Sequence, residues 1–109
     1  MVKRAVTAFE QRVFDATRLV PKGKVTTYKA LADFIHCRCA QAVGQALKRN
    51  PFAPEVPCHR VVNRALQLHG FQGKQNQTVL TEKKRLLQEE GVAFEIDGRI
   101  SRAHLFLFL

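Results

Sequence analysis

Long apolar runs are missing from this 109-residue sequence. No stretch approaches the roughly 20 apolar residues that a membrane-spanning helix needs, and the N-terminal segment has no apolar core of the signal-peptide type. Internal repeats, low-complexity tracts and interdomain linkers are also absent. These absences exclude a transmembrane helix and predict one domain over residues 1–109. The expected location is intracellular: the nucleus if the source is eukaryotic, or the cytoplasm and nucleoid if it is prokaryotic.

Acidic residues are scarce. The chain has 9 Asp and Glu against 18 Lys and Arg, a formal net charge of +9 and a sequence pI near 10.1. An excess of this size in a small domain indicates a polyanionic partner such as nucleic acid. The positive charges are spread along the chain, which disfavours a membrane surface as the partner. A basic protein without any such partner is the open alternative.

Cysteines are few and odd in number: Cys37, Cys39 and Cys58. Without a secretion signal, three cysteines predict free thiols in a reducing compartment. Two of them lie in "HCRC", residues 36–39, but a Cys-x-Cys pair is a weak signal and four zinc ligands would need further partners. We therefore expect no metal site.

Helical periodicity recurs in the first half of the chain. The capping-box pattern Thr7-x-x-Glu10 begins a helix predicted over residues 8–19, before a turn at residues 21–24. A second helix has Thr26 or Thr27 as its cap, and a third covers "CAQAVGQALKRN". The positions expected to face inward are Tyr28, Leu31, Ala32 and Ile35 on the second helix and Ala40, Val43, Ala46 and Leu47 on the third. The outward positions of the third helix are Gln41, Gly44, Gln45 and Lys48. Two short helices joined by a tight break are typical of a helix-turn-helix.

The second half of the chain predicts another helix. It spans residues 79–91, with Leu86 and Leu87 facing inward and Gly91 as the C-terminal cap. A polar, glycine-containing loop precedes it.

A hairpin and an apolar tail follow this helix. Alternating residues around Asp97-Gly98 predict a short β-hairpin, and the tail, residues 104–109, is expected to pack against the body. A hairpin behind a helix-turn-helix forms a wing. The predicted fold class is therefore mainly α: a winged helix-turn-helix-like DNA-binding domain with a short β-hairpin wing.

"VPCHRVV", residues 56–62, places Cys58 and His59 in an apolar run that reads as a strand or a turn. A thiol is a strong nucleophile only as the thiolate, so it needs a base or a positive field nearby. Adjacent side chains of an extended segment point to opposite sides. His59 is therefore expected to act on Cys58 through a bridging water. On these residues alone, a buried inert cysteine beside a surface histidine is the alternative.

Taken together, the motifs resemble a known family. "VPCHRVV" is similar to the active-site signature of the O6-alkylguanine-DNA alkyltransferases, also called methylated-DNA–protein-cysteine methyltransferases. "VPKGKVTTYKALA" and "AVGQALKRNP" resemble the family's helix-turn-helix, and "LLQEEGV" resembles its closing helix. The resemblance covers residues 9–100 and is to the C-terminal domain, without the N-terminal domain that many relatives carry.

The resemblance implies a catalytic role for five residues. Cys58 would accept the alkyl group, His59 would act through a water as the base, and Glu90 would orient that histidine. Asn50 would tie the recognition helix to the active-site segment through hydrogen bonds. Tyr28 would donate to the extruded guanine and help to protonate it as it leaves. No cofactor is implied.

Further residues would bind the base and the DNA. Val61 would face the base, and Lys83 stands where the family also has a lysine. Phe71, in place of the tyrosine of many members, and Gln72 would lie in the loop that closes over the pocket. Small residues on the recognition helix would let it lie close in the minor groove. The implied DNA-binding residues are Tyr28, Arg38, Ala40, Gln41, Ala42, Gly44, Gln45 and Lys48.

Position 41 departs from the family. Gln41 stands where members usually have an arginine that enters the duplex and fills the space of the flipped base. Glutamine is shorter and uncharged, so it should stabilise the gap less well. Arg38, one helical turn earlier, is not expected to reach past Gln41 and compensate.

The function implied by the resemblance is DNA repair by a monomer. The alkyl group of O6-alkylguanine in double-stranded DNA would pass once and irreversibly to Cys58. One alternative is an alkyltransferase-like lesion sensor, which binds without transfer and which the presence of Cys58 disfavours. Another is a winged-helix regulator with a structural Cys58, which leaves the Pro-Cys-His-Arg run and Glu90 unexplained.

Overall fold

The computed structural model describes residues 6–52, 55–68 and 77–108. In these residues the helices are α1 (Ala8–Thr17), α2 (Tyr28–Phe34), α3 (Ala40–Lys48) and α4 (Gln77–Glu89). The strands are β1 (Thr26–Thr27) and β2 (Val61–Val62), and single turns of 3-10 helix cover Cys58–Arg60 and Arg102–His104. Among the described helices, none combines the length and apolar character needed to cross a membrane. The mainly helical fold class is confirmed.

The predicted capping box begins α1. The Thr7 hydroxyl accepts a hydrogen bond from the Glu10 amide, and the Glu10 carboxylate accepts one from the Thr7 amide, both at 3.0 Å. Each bond satisfies an amide that a helix start would otherwise leave without a partner. The helix ends at Thr17 and not at residue 19, because the Leu19 amide bonds only three residues back, to Ala16, and tightens the chain into a turn.

Thr27 is the residue that caps α2. Its hydroxyl accepts a hydrogen bond from the Ala30 amide at 3.0 Å, whereas Thr26 is fully buried in β1. The break after α2 contains His36 in the left-handed region, with φ of 59°. α2 and α3 pack against each other and against α1, so the predicted helix-turn-helix is confirmed.

α3 buries the face that its sequence predicts. Val43, Ala46 and Leu47 are buried in a core shared with α1 and α2, while Ala40 is half-buried at its edge. Fully burying a Val or Leu side chain stabilises a fold by about 1.5–3 kcal/mol. These contacts hold α3 in place and leave its opposite face at the surface.

A parallel β1–β2 pair connects the start of α2 with the cysteine segment. Thr26 pairs with Val61, and Thr27 pairs with Val62. The sequence does not indicate this pairing, because strands of two residues are too short to show an alternating pattern. The pair sets the first turn of α2 beside the chain that follows Cys58.

α4 ends at a glycine, as predicted. Gly91 has φ of 93°, and the Val92 amide bonds back to the Leu87 carbonyl in a Schellman arrangement. Leu87 is fully buried, but Leu86 is only half-buried. Lys83, which was not expected in the interior, is buried with 1 % of its surface exposed.

The wing and the tail are both short. Phe94 and Ile100 form a single antiparallel bridge, and Gly98 in the intervening turn has φ of 88°. The predicted hairpin is therefore present. In the tail, the Phe108 ring stacks on Phe34 with 4.5 Å between the ring centroids, so this segment packs on the helix-turn-helix as expected.

Two apolar clusters meet at β2. Val61 packs into the cluster of α1, α2 and α3, which also contains Cys58, while Val62 packs with Leu87 of α4. Successive residues of a strand point to opposite faces, so β2 lies between the two cores. Cys58 is thereby held where the helix-turn-helix meets α4.

Candidate active site

Cys58 begins the 3-10 turn Cys58–Arg60, directly before β2. Its amide donates to the Val56 carbonyl at 2.8 Å, and the Arg60 amide donates to the Pro57 carbonyl at 2.9 Å. The chain at Cys58 is therefore a turn, and the alternation expected for an extended segment does not apply there. Only 7 % of Cys58 is exposed, so a substrate has to enter a pocket to reach its sulfur.

Burial raises the pKa of the Cys58 thiol, because surroundings of low polarity disfavour the thiolate. A hydrogen bond with the Asn50 side chain and the charge of Lys83 both lower this pKa, but they do not cancel the effect of burial. The resting side chain is therefore a thiol. Attack on a substrate requires removal of its proton, so the site needs a base.

Asn50 links the end of α3 to the cysteine segment. Its Nδ2 donates to the Val56 carbonyl at 2.9 Å, and its Oδ1 accepts from the Phe52 amide at 2.8 Å. Both ends of the amide are thus engaged, which holds the side chain in one orientation. A shift of α3 would be transmitted through these bonds to the chain just before Cys58.

His59 and Glu90 are in direct contact, with 2.9 Å between Nε2 and Oε2. An ionised carboxylate only accepts hydrogen bonds, so Nε2 of a neutral His59 carries the hydrogen and Nδ1 keeps its lone pair. Burial lowers the pKa of His59 by more than Glu90 raises it. The ring is therefore neutral near pH 7 and able to accept a proton at Nδ1.

Arg60 completes this cluster, a contact that the sequence analysis missed. Its Nε and Nη2 donate to the two carboxylate oxygens of Glu90 at 2.9 and 2.7 Å, and its Nη1 donates to the Val20 carbonyl at 2.9 Å. Burial alone would raise the pKa of Glu90, but the hydrogen bonds from Arg60 and His59 outweigh it and hold the pKa below its ordinary value. The one feature of the sequence that indicates a place for Arg60 in this cluster is its position immediately after His59.

Tyr28 is the first residue of α2 and is half-buried. Burial raises the pKa of Tyr28 to about 12, with a smaller contribution from Cys58 when it is ionised. The hydroxyl therefore stays protonated and can donate a hydrogen bond. A Cβ on Gly44 would lie 3.9 Å from two carbons of the Tyr28 ring, which places the ring alongside α3. Gly44 is accordingly half-buried and not fully outward.

Lys83 approaches the site from the interior. Its Nζ donates to the Val61 carbonyl at 2.9 Å. Burial lowers the pKa of Lys83 to about 8, and Cys58, when it is ionised, opposes that effect. Lys83 thus anchors β2 through the Val61 carbonyl and adds positive potential near the Cys58 sulfur.

The surface of α3 carries few charges. The exposed residues of α3 and the turn before it include Arg38, Gln41, Gln45 and Lys48, while Ala40, Ala42 and Gly44 are half-buried. Small and uncharged polar side chains suit a close approach to a groove better than base-specific readout. The contacts predicted for Phe71 and Gln72 lie outside the described residues.

Comparison with known sequences finds related proteins. Residues 8–92 match the family described as the DNA-binding domain of 6-O-methylguanine DNA methyltransferase. A methylated-DNA–protein-cysteine methyltransferase of Thermococcus gammatolerans is 46% identical over 88 residues, which cover 80% of this chain and 47% of that protein. The protein of the same name from Sulfolobus acidocaldarius is 39% identical and covers 83% of this chain and 54% of its own length. The chain spans about half the length of the curated relatives that it matches.

Solved structures share the fold. Mycobacterium tuberculosis OGT in complex with DNA superposes with a TM-score of 0.71 and 39% identity, covering 80% of this chain and 51% of that chain. S. pombe Atl1, in complex with damaged DNA containing O6-carboxymethylguanine, gives a TM-score of 0.74 at 29% identity. That match covers 90% of this chain and 94% of Atl1.

Proposed function

Because this chain belongs to the family of the methylated-DNA–protein-cysteine methyltransferases, we propose that it repairs DNA by transferring the alkyl group of O6-alkylguanine to its own Cys58. The observation that carries the proposal is a buried thiol in a turn whose next residue, His59, is oriented by Glu90 and kept neutral by burial. A buried inert cysteine would not require this arrangement.

The reaction requires the damaged nucleotide to leave the base stack. Extrusion costs a few kcal/mol, which contacts to the phosphates and in the pocket have to offset. The basic charge of the chain and the outer face of α3 supply contacts of this kind. Double-stranded DNA containing O6-alkylguanine is therefore the proposed substrate, with α3 in the minor groove.

The transfer is an in-line displacement. The Cys58 sulfur attacks the alkyl carbon, a carbon–sulfur bond forms, and the bond between that carbon and O6 breaks with its electron pair passing to guanine. The thiol proton passes through a water to Nδ1 of His59. The Tyr28 hydroxyl stabilises the developing charge on guanine by hydrogen bonding and gives it a proton. The tyrosinate is reprotonated as His59 releases the thiol proton through water, so the net transfer of one proton is from Cys58 to guanine. The resulting thioether is stable, so each molecule acts once. The displacement uses only side chains of the protein and water, so the proposed reaction needs no cofactor.

A lesion sensor without transfer is the second candidate. It would dominate if Gln41, by stabilising the emptied stack less well, slows the chemistry. The match to Atl1 over nearly its whole length also favours it. Cys58 and the ordered His59–Glu90 pair favour transfer. A winged-helix regulator would need neither.

The experiment is incubation of the protein with a duplex oligonucleotide carrying O6-methylguanine, followed by mass spectrometry of its peptides. We expect one methyl increment on the peptide containing Cys58, and none after Cys58→Ser. The matched control is Cys37→Ser/Cys39→Ser, which removes the other two thiols and should leave transfer unchanged.

The remaining outcomes separate the alternatives. Tight lesion binding without any increment would establish the sensor. Binding with no preference for the lesion would establish the regulator. An increment in Cys58→Ser would move the acceptor to another residue.

A further inference from the structure

An open groove with a volume of 240 Å³ lies along the exposed side of α2. Lys29 and Asp33 line it from α2, Arg64 from the turn after β2, and Arg102 from the 3-10 turn near the C-terminus. Three segments that are distant in sequence therefore converge on one surface. None of these residues belongs to the cluster around Cys58.

The groove carries an excess of positive charge. Lys29 and Asp33 form an ion pair with 3.0 Å between Nζ and Oδ2, so their charges offset each other. Arg64 and Arg102 are exposed. Within the part of the chain that the structure describes, neither guanidinium forms an ion pair with a carboxylate. Two guanidinium groups are thus available to an anion.

Most described arginines are placed differently. Five of them form ion pairs with acidic side chains: Arg18 with Asp15, Arg49 with Glu10, Arg60 with Glu90, Arg85 with Glu82 and Glu89, and Arg99 with Asp97. With half as many acids as bases in the chain, some bases must lack an acidic partner. Two of those that do lie together in one groove.

The position of the groove fits a phosphate of the DNA backbone. In a helix-turn-helix the second helix lies in the DNA groove, and the first helix crosses the sugar-phosphate backbone. α2 is the first helix here, and the groove follows its exposed side. The planar fork of a guanidinium matches the oxygens of a phosphate and binds them bidentately.

We infer that Arg64 and Arg102 clamp a phosphate of one DNA strand where it passes α2, outside the pocket of the extruded base. The inference rests on the proposed function. The clamp holds the duplex through its backbone, so it is independent of sequence and of the lesion.

The test is the salt dependence of binding to an undamaged duplex, measured by fluorescence anisotropy. Each phosphate contact adds about 0.9 to the slope of log affinity against log salt concentration. Because both arginines hold the same phosphate, the variant Arg64→Ala/Arg102→Ala should reduce the slope by about 0.9 and weaken binding to damaged and undamaged duplexes alike. Arg64→Lys/Arg102→Lys retains both charges and should restore most of the slope.

The matched control is Arg18→Ala/Arg85→Ala, which removes the same net charge at sites outside the groove. Equal slopes for the groove variant and this control would overturn the inference, since they would show that net charge alone sets the salt dependence. Methylation of Cys58 by an excess of damaged duplex at low salt is measured in parallel. A parent protein that fails to become methylated refutes the proposed repair function, whereas the slopes decide the clamp independently.

Discussion

Two clusters of arginine and glutamate lie along α4 and at its end, and they differ in burial. The exposed cluster consists of Arg85, Glu82 and Glu89, with side-chain exposures of 53%, 45% and 60%. The buried cluster consists of Arg60, Glu90 and His59, with exposures of 16%, 14% and 4%. Arg85 donates four hydrogen bonds to its two carboxylates, and Arg60 donates two to one carboxylate. The charged groups are therefore of the same kind, and their surroundings differ.

The comparison shows what burial does to an ion pair. Water and salt screen the exposed charges, so such pairs contribute little to stability. In the buried cluster Arg60 and Glu90 have lost much of their hydration and depend on each other, so removing one partner leaves a poorly compensated charge. The exposed cluster therefore lies on the outer face of α4, whereas the buried one orients the His59 ring, which burial keeps neutral.

The largest expected effect comes from removing the buried guanidinium. Arg60→Met should lower the free energy of unfolding by about 3 kcal/mol, because it leaves the Glu90 carboxylate without its bidentate partner. Urea denaturation measures the change. Arg60→Lys keeps the charge but not the fork, and should recover part of the loss. If Arg60→Met were as stable as the parent, the buried cluster would contribute no more to the free energy of unfolding than the exposed one.

Glu90→Gln should slow the transfer itself. Glutamine keeps the shape but no longer fixes His59 as a base, and general-base catalysis contributes about 10²–10⁴-fold. We expect the single-turnover rate constant for methylation of Cys58 to fall about 100-fold. The matched control is Glu89→Gln, the adjacent carboxylate in the exposed cluster, which should transfer at the parent rate. A rate constant that is unaffected by Glu90→Gln would remove Glu90 from the mechanism.

The pH dependence has a defined sign. The pKa values of His59 and Glu90 are both lowered in the folded protein, so the unfolded chain binds their protons more readily. Their stabilisation is complete above the ordinary values of 6.5 and 4.5, and is lost as pH falls below each of them. The transfer rate should likewise fall on the acid side with an apparent pKa below 6.5.

Glu90→Gln sharpens this test. Glu90 raises the pKa of His59 against the effect of burial, so its replacement should move the acid limb of the pH–rate profile to lower pH. An acid limb at the same pH in parent and variant would show that the limb does not report His59.

A buried polar group without a partner extends the comparison. The Thr26 hydroxyl is fully buried and, within the described residues, has no hydrogen-bond partner. Such a group costs about 1–3 kcal/mol, so Thr26→Val, which keeps the shape, should raise the free energy of unfolding by about 1 kcal/mol. Thr27→Val, which removes the cap of α2, should lower it by about as much. Thermal unfolding of the two variants measures both changes. A Thr26→Val variant that is less stable than the parent would contradict the prediction.

The smallest effect is expected at the exposed cluster. Arg85→Ala should leave both the denaturation midpoint and the rate of Cys58 methylation unchanged within error, because the guanidinium is already solvated. A loss of stability close to that of Arg60→Met would contradict the view that burial sets the difference.

Features confined to one stretch of chain could be predicted. The Thr7–Glu10 capping box and the Gly91 cap involve partners a few residues apart, so the sequence contains both members of each contact. The same holds for Arg85, whose partners stand three and four residues away on one helix.

The spacing of residues could not predict contacts between distant segments; the contacts of Glu90 with His59 and of Asn50 with the cysteine segment were implied only by the family resemblance. Helical spacing placed Leu86 and Leu87 inward, but the structure buries Lys83 because its Nζ reaches the Val61 carbonyl. The bidentate contact of Arg60 with Glu90 joins the cysteine turn to the end of α4, and nothing in the spacing of either segment indicates the other. The roles of Phe71 and Gln72 in closing the pocket stay predictions, as do the DNA contacts of α3.

The order of amino acids alone accounts for the helices and their caps, the basic charge and the Cys-His signature, since each depends on neighbours in the chain. The folded arrangement determined which carboxylate meets His59, which lysine lies behind the thiol, and which arginines share a groove. Those choices depend on distances between segments, and distance in space follows from how two cores pack around β2. Packing also sets the burial that keeps His59 neutral and Cys58 protonated, a property that no local pattern of residues encodes.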